Sequence, residues 1–253
     1  MSDEMNIADY LAKGGRLTNP ANVPPRYRAE LMKMMATFVD SELAGAAGFA
    51  DVINEGPGIK ERIAAARIVL EKTDHAGKVL RLMGEFGANT DRYADHHPWK
   101  DRAPRDTLPG SQRSKHDLRL SVLNYPLAGW TDAVAMNLCM GLAVNVHLEE
   151  MSRVSYQPLA EAIRSAAPVE AHHAELAEEG LARLRDQGKQ DKIADSLAYW
   201  QPRVAAIFGD AGEDRMAQLK AWGLRHRTAS EMRADWEKRL AAALGRLGLR
   251  NAA

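Results

Sequence analysis

The chain is nearly without cysteine. Cys139 stands alone among 253 residues, so no intrachain disulfide can form, which fits a reducing compartment. It has no surplus of one charge either: 34 Lys and Arg face 34 Asp and Glu, and neither sign is gathered into a long block. That balance argues against a nucleic-acid groove and against a polybasic membrane patch. Long apolar runs are missing, each being broken well short of the roughly 18 residues that a membrane span requires. The start, MSDEMNIADY, has no basic segment followed by an apolar one, so no signal peptide and a cytoplasmic location are expected. No stretch of useful length alternates apolar with polar residues, so no sheet is expected.

What is present is helical periodicity, with 45% apolar residues to build a core. The expected fold class is all-α, in one domain spanning 1–253: an irregular segment 1–25, a core bundle over about 26–188 and further helices over about 189–248. Residues 26–54 read as a long helix with Leu31, Met34, Met35, Phe38 and Leu43 near one face. Pro57 is placed to open the next helix, 58–86, which runs through Ile63, Leu70 and Leu80. Residues 88–114 form a long loop containing DHHPW, with His96 and His97 expected at the surface. Helix resumes near His116, breaks at 124–126, and continues over 127–153, the most apolar part of the chain. A helix over 156–184 contains Pro168, which should kink it or mark a boundary. Three more follow at about 189–207, 212–224 and 229–246.

One stretch echoes another a hundred residues away. VLEKTDHAG (69–77) and PVEAHHAEL (168–176) place Lys72 and His75, then Glu170 and His173, at the same i, i+3 spacing. That spacing puts both side chains on one helix face. Four-helix carboxylate proteins hold metal ions with one carboxylate on each of two helices and a Glu-x-x-His pair on each of the other two. Glu42 on the first long helix and Asp132 at the start of the apolar helix complete that order. Taken singly, Glu42 also reads as a solvated helix residue, Asp132 as a helix N-cap and His75 as a satisfied core histidine.

The stretches SELAG (41–45), NYPLAGWTDAV (124–134), RVSYQPLAEAI (153–163), EAHHAELAEEG (170–180), YWQPRVAAIFG (199–209) and LKAWGLRHRTASEMRADW (219–236) resemble the phenylacetic acid catabolic family. The likeness is to its catalytic A-type subunits, from multicomponent phenylacetyl-CoA epoxidases, and it covers about residues 25–248. It implies a ferritin-like bundle and a carboxylate-bridged iron centre that inserts one oxygen atom from O2 into an aromatic acyl-CoA. It also implies a structurally similar partner subunit that has lost its metal, a reductase as electron donor, and iron as cofactor, one or two ions. A homo-oligomer is an alternative to the partner subunit. Carried across by position, the resemblance assigns metal ligation to Glu42, His75, Asp132, Glu170 and His173.

The chain departs from that pattern at Lys72, which falls on the glutamate of the first Glu-x-x-His pair. A shifted register would instead place His75 and Lys78 there. An ammonium has three donors and no lone pair, so it cannot bridge two cations. Two divalent ions and an ammonium would set five positive charges against Glu42, Asp132 and Glu170, which a dry site does not tolerate. Lys72 could ligate as a neutral amine, replace one metal as a fixed cation, or pair with the carboxylates in a metal-free core; Glu71 or Asp74 could serve as substitute ligands. Two readings follow. One is a metal-dependent oxygenase-like protein acting on an aromatic or acyl-CoA substrate with an altered ligand set. The other is a non-catalytic structural or regulatory subunit whose centre is a lysine–carboxylate network.

Overall fold

The computed structural model describes residues 7–95, 101–109, 117–209 and 212–249. Among them the helices are α1 (Ile7–Ala12), α2 (Pro25–Val52), α3 (Ile59–Glu85), α4 (Arg92–Asp95), α5 (Trp130–Met151), α6 (Gln157–Asp186), α7 (Gln190–Ala205), α8 (Glu213–Ala221) and α9 (Ala229–Arg246). Short 3-10 turns lie at Pro20–Asn22, Ile53–Glu55 and Ser121–Asn124. The described residues contain no strand, and one isolated bridge joins Leu17 to Tyr156. The class is all-α, a ferritin-like bundle with added C-terminal helices. No described helix is long and apolar enough to cross a membrane. His96 and His97 lie outside the described residues.

Two hairpins of long helices make the bundle. α2 packs along α3, and α5 along α6; α3 against α6 joins the pairs. α5 is the central helix because almost every face of it is covered: α6, α7 and α9 all pack on it. Its Ala133, Ala135, Leu138, Cys139, Ala143 and Val146 are fully buried. Burying each large aliphatic side chain contributes about 1.5–3 kcal/mol. Around α5, Trp200 from α7 and Trp236 from α9 fill one core, and the Trp236 indole N–H donates to the Cys139 carbonyl at 2.9 Å. A second core gathers Tyr27, Leu31, Met35 and Val39 of α2 with Val79 of α3 and Leu159 and Ile163 of α6.

Several local expectations are corrected. α5 begins at Trp130, not 127, because Gly129 takes φ +94°, a left-handed value that no helical residue shares. Residues 117–120 are not helical: Leu118 N–H donates to Asp40 Oδ2 (2.7 Å) and Leu120 N–H to Ser41 Oγ (2.9 Å), so α2 side chains take the bonds a helix ladder would use. Pro168 neither ends nor divides α6, which runs through it. The segment expected to be irregular contains α1. On α3, Ile63 and Leu70 are 54% and 69% exposed; the inward face is instead Ala65, Ile68, Lys72, His75, Ala76, Val79 and Met83.

Glu150, fully buried near the end of α5, ties the C-terminal helices to the bundle. It accepts from the backbone N–H groups of His226 and Arg227 and from the Arg153 and Arg227 guanidinium groups. These bonds hold its carboxyl below the usual range against the opposing effect of burial.

Candidate metal centre

Two polar turns face each other across the bundle. Glu42 of α2, Lys72 and His75 of α3, and Glu170 and His173 of α6 are all buried there. The Lys72 ammonium donates to Glu170 Oε2 at 2.7 Å and to Glu42 Oε1 at 3.3 Å. His75 Nδ1 lies 3.1 Å from Glu170 Oε1 and 3.6 Å from Glu42 Oε2. His173 Nε2 bonds Glu71 Oε2 at 2.7 Å, which turns Nδ1 inward, 3.3 Å from Glu170 Oε2 but not aligned for a hydrogen bond. An outer carboxylate that orients an imidazole in this way is the common support of a metal-ligating histidine.

Burial works against every charge in the cluster, and the partners decide the outcome. Burial pulls the Lys72 ammonium down, but the charges of Glu170 and Glu42 outweigh it and hold its pKa above the ordinary value. Burial likewise opposes His75, yet its hydrogen bond to Glu170 and the nearby Glu42 carboxylate raise its pKa to about 9, so it is a cation at neutral pH. For Glu170, burial is overcome by Lys72, His173 and His75, which hold its carboxyl well below the usual range. Burial and the repulsion of Glu170 raise Glu42 despite Lys72 and His75. The two carboxylates of Glu42 and Glu170 are thus each set against the Lys72 ammonium and the His75 ring.

The remaining candidates are placed elsewhere. Asp132 is buried but belongs to a different network: Arg105 grips it bidentately (2.9 and 2.7 Å), and the Ala128 N–H, just before the start of α5, donates to it at 2.9 Å. Arg105 is itself stacked 3.7 Å above the Tyr199 ring. The described His, Cys, Asp and Glu groups that lie close enough to share one ion are Glu42, His75 and Glu170, and Asp132 is not among them. α5 therefore presents no carboxylate there; it offers Asn137, whose amide donates to the His173 carbonyl at 3.1 Å. Lys78, the other register, pairs with Asp74 on the outer surface. His172 is half exposed beside Glu175. Periodicity gave no sign of Arg105, which comes from a loop. Asn137 was not singled out either; its only signal is a polar residue inside an apolar run.

The donor set does not fit two metal ions. A bridged pair needs carboxylates free to span both ions, and here the ammonium lies against both carboxylates of the cluster. One ion fits better: donor atoms of Glu42, His75 and Glu170 all lie within 4.8 Å of one another. Glu42 Oε2 and His173 Nδ1 are buried with no hydrogen-bond partner among the described residues, leaving two lone-pair donors unfilled.

The profile of a family described as phenylacetic acid catabolic protein matches residues 5–252. The chain belongs to that family. Among curated relatives, it is 23% identical over 238 residues to the A-type subunit of 1,2-phenylacetyl-CoA epoxidase from Escherichia coli (strain K12), covering 92% of the chain and 72% of the relative. The relation is to an oxygenase-type protein, and it spans the helices that carry the cluster.

A cavity of about 240 Å³ runs beside the cluster between α2 and α5. Glu42, Lys72 and Glu170 are among its lining, and Met34, Phe38, Met140, Val144 and Leu148 form apolar parts of the wall. His147 and Arg225 line the part nearer the C-terminal end of α5.

Proposed function

We propose that this chain is a ferritin-like subunit of an oxygenase-type assembly in which the Lys72 ammonium takes the place of one metal ion, so that it does not carry out two-metal oxygen chemistry. The observation that carries this is the pair of bonds from Lys72 to Glu170 and Glu42, at 2.7 and 3.3 Å. The cation is tethered to α3 and balanced by the carboxylates that would otherwise serve a second ion. The role this leaves is structural or regulatory, beside a catalytic partner, since the similar E. coli protein is named as one subunit of an epoxidase. Cytoplasmic placement and a partner related in fold belong to the same proposal.

A second reading is favoured by the unfilled Glu42 Oε2 and His173 Nδ1. Glu42, His75, Glu170 and His173 would then hold a single iron ion, which would supply redox chemistry toward an aromatic or acyl-CoA substrate in the adjoining cavity. In that case His75 gives up its proton to ligate, Glu71 keeps His173 oriented, and Lys72 holds Glu170 in place.

Metal counting separates the readings. The parent chain and Lys72→Glu are loaded with Fe(II) without oxygen, desalted and analysed for iron. The parent should bind no more than one iron per chain, and Lys72→Glu should bind more. Two irons in the parent, or equal counts in both proteins, would overturn the proposal. One tightly held iron in the parent selects the second reading, and none selects the first.

A further inference from the structure

The cavity lining includes an arginine, Arg225, with no acid of its own. Arg225 Nη1 lies 3.6 Å from the Met232 thioether, a weak acceptor, and no carboxylate among the described residues bonds its guanidinium. Glu150 acts on it through space, but that carboxylate already accepts from two backbone N–H groups and from the Arg153 and Arg227 side chains. Burial weakens the charged form of Arg225, and Arg215 adds repulsion. Arg215 itself is paired with Glu30 at the exposed rim. A half-buried guanidinium in this position gains from any anion that reaches it.

His147 offers a second unfilled group at the same place. Its Nε2 is buried without a hydrogen-bond partner among the described residues, and its ring stacks on Phe208 at 5.0 Å. Burial, with the charges of Arg225 and Arg227, pushes its pKa down to about 3, so it is a neutral imidazole at pH 7. The lining also holds the exposed Lys33 and the Arg215–Glu30 pair, so with Arg225 the surroundings carry a net positive charge that suits an anionic group. The apolar part of the wall comes from Leu148, Val144 and Met140 of α5 and Met34 and Phe38 of α2. Gly141, beside the cluster, and His147 are six residues apart on α5, about 9 Å along the axis.

We propose that this cavity binds an amphipathic monocarboxylate of medium chain length, its carboxylate on Arg225 beside His147 and its apolar tail between α2 and α5, pointing toward Lys72. The guanidinium fork matches a carboxylate with two parallel bonds. The tail replaces water against methionine and aliphatic side chains, and Met34 and Met140 adapt to its shape. The site stands apart from the metal question, since neither Arg225 nor His147 touches the Glu42–Lys72–Glu170 cluster, and the iron counts above have no bearing on it.

The test is calorimetric titration of the full chain with sodium octanoate, 1-octanol and inorganic phosphate, repeated on Arg225→Met, which keeps an unbranched apolar stem and removes the guanidinium. Octanoate should bind the parent about tenfold or more tighter than octanol does, and that preference should vanish in Arg225→Met. Phosphate should not compete with octanoate. Three results would overturn the site: octanoate failing to bind the parent at millimolar concentration, octanoate and octanol binding the parent equally, or Arg225→Met retaining the octanoate preference. If Arg225→Met does not fold, the octanoate-to-octanol ratio in the parent decides alone.

Discussion

Replacing Lys72 by Met keeps most of the side chain's length and removes its charge. Glu42 and Glu170 are then left 4% and 1% exposed with His75 as their remaining cation. Breaking a buried ion pair by removing one partner costs about 3–5 kcal/mol, because the other charge stays buried. The cluster has an escape, which sets how the loss depends on pH. Burial and Glu170 already raise the Glu42 carboxyl above its ordinary value; without the ammonium it rises further and takes up a proton. A carboxyl whose folded pKa exceeds its unfolded one destabilises the fold above the unfolded pKa. The penalty therefore grows as pH rises from about 4.5, by about 1.4 kcal/mol per unit until the folded pKa is passed. Urea unfolding followed by circular dichroism at pH 5 and pH 8 measures it. The deficit of Lys72→Met should be small at pH 5 and near the full value at pH 8. A loss under about 1 kcal/mol at pH 8, or one that shrinks as pH rises, would refute the placement of Lys72 between two carboxylates.

Three further outcomes are expected. Asp132→Ala leaves the Arg105 guanidinium and the Ala128 N–H without their acceptor and should cost about 1–3 kcal/mol in urea unfolding, while the iron count stays at the parent's value. Gly180→Ala brings a Cβ to 2.9 Å from Val134 Cγ1 and should destabilise by about 1–3 kcal/mol; adding Val134→Ala should recover part of that loss, and plain additivity would contradict the close approach. His147 is neutral in the fold with a pKa of about 3, so the unfolded chain takes up a proton first as pH falls below about 6.5. Stability should drop toward acid by up to about 1.4 kcal/mol per unit from this group. His147→Asn should lack that share of the slope, and identical slopes in both proteins would count against it.

The apolar run of α5 announced a central helix because its hydrophobicity does not depend on neighbours, and α6, α7 and α9 do cover it. The Glu-x-x-His spacing of 170 and 173 was readable for the same reason, since one helix fixes which side chains share a face. Ile63 and Leu70 misled because hydropathy ranks them above Lys72 and His75, whereas α3 turns its charged stripe inward toward the opposite charges of α2 and α6. Asp132 shows the other limit. Its place in chain order and in the resemblance pointed to the cluster, but its partner Arg105 lies 27 residues away in a loop that no periodicity positions. The cavity was illegible too, since its walls are assembled from α2, α5 and the C-terminal segments together.

A metal ion stabilises a fold by mass action: its contribution follows the free concentration of the ion relative to its dissociation constant, and a chelator removes it. The ammonium of Lys72 is held by covalent bonds at a fixed effective concentration beside Glu42 and Glu170. Its share of the stability has no supply term. It is the same in an iron-starved cell as in a replete one, and it is set when the chain is translated rather than when a metal is delivered.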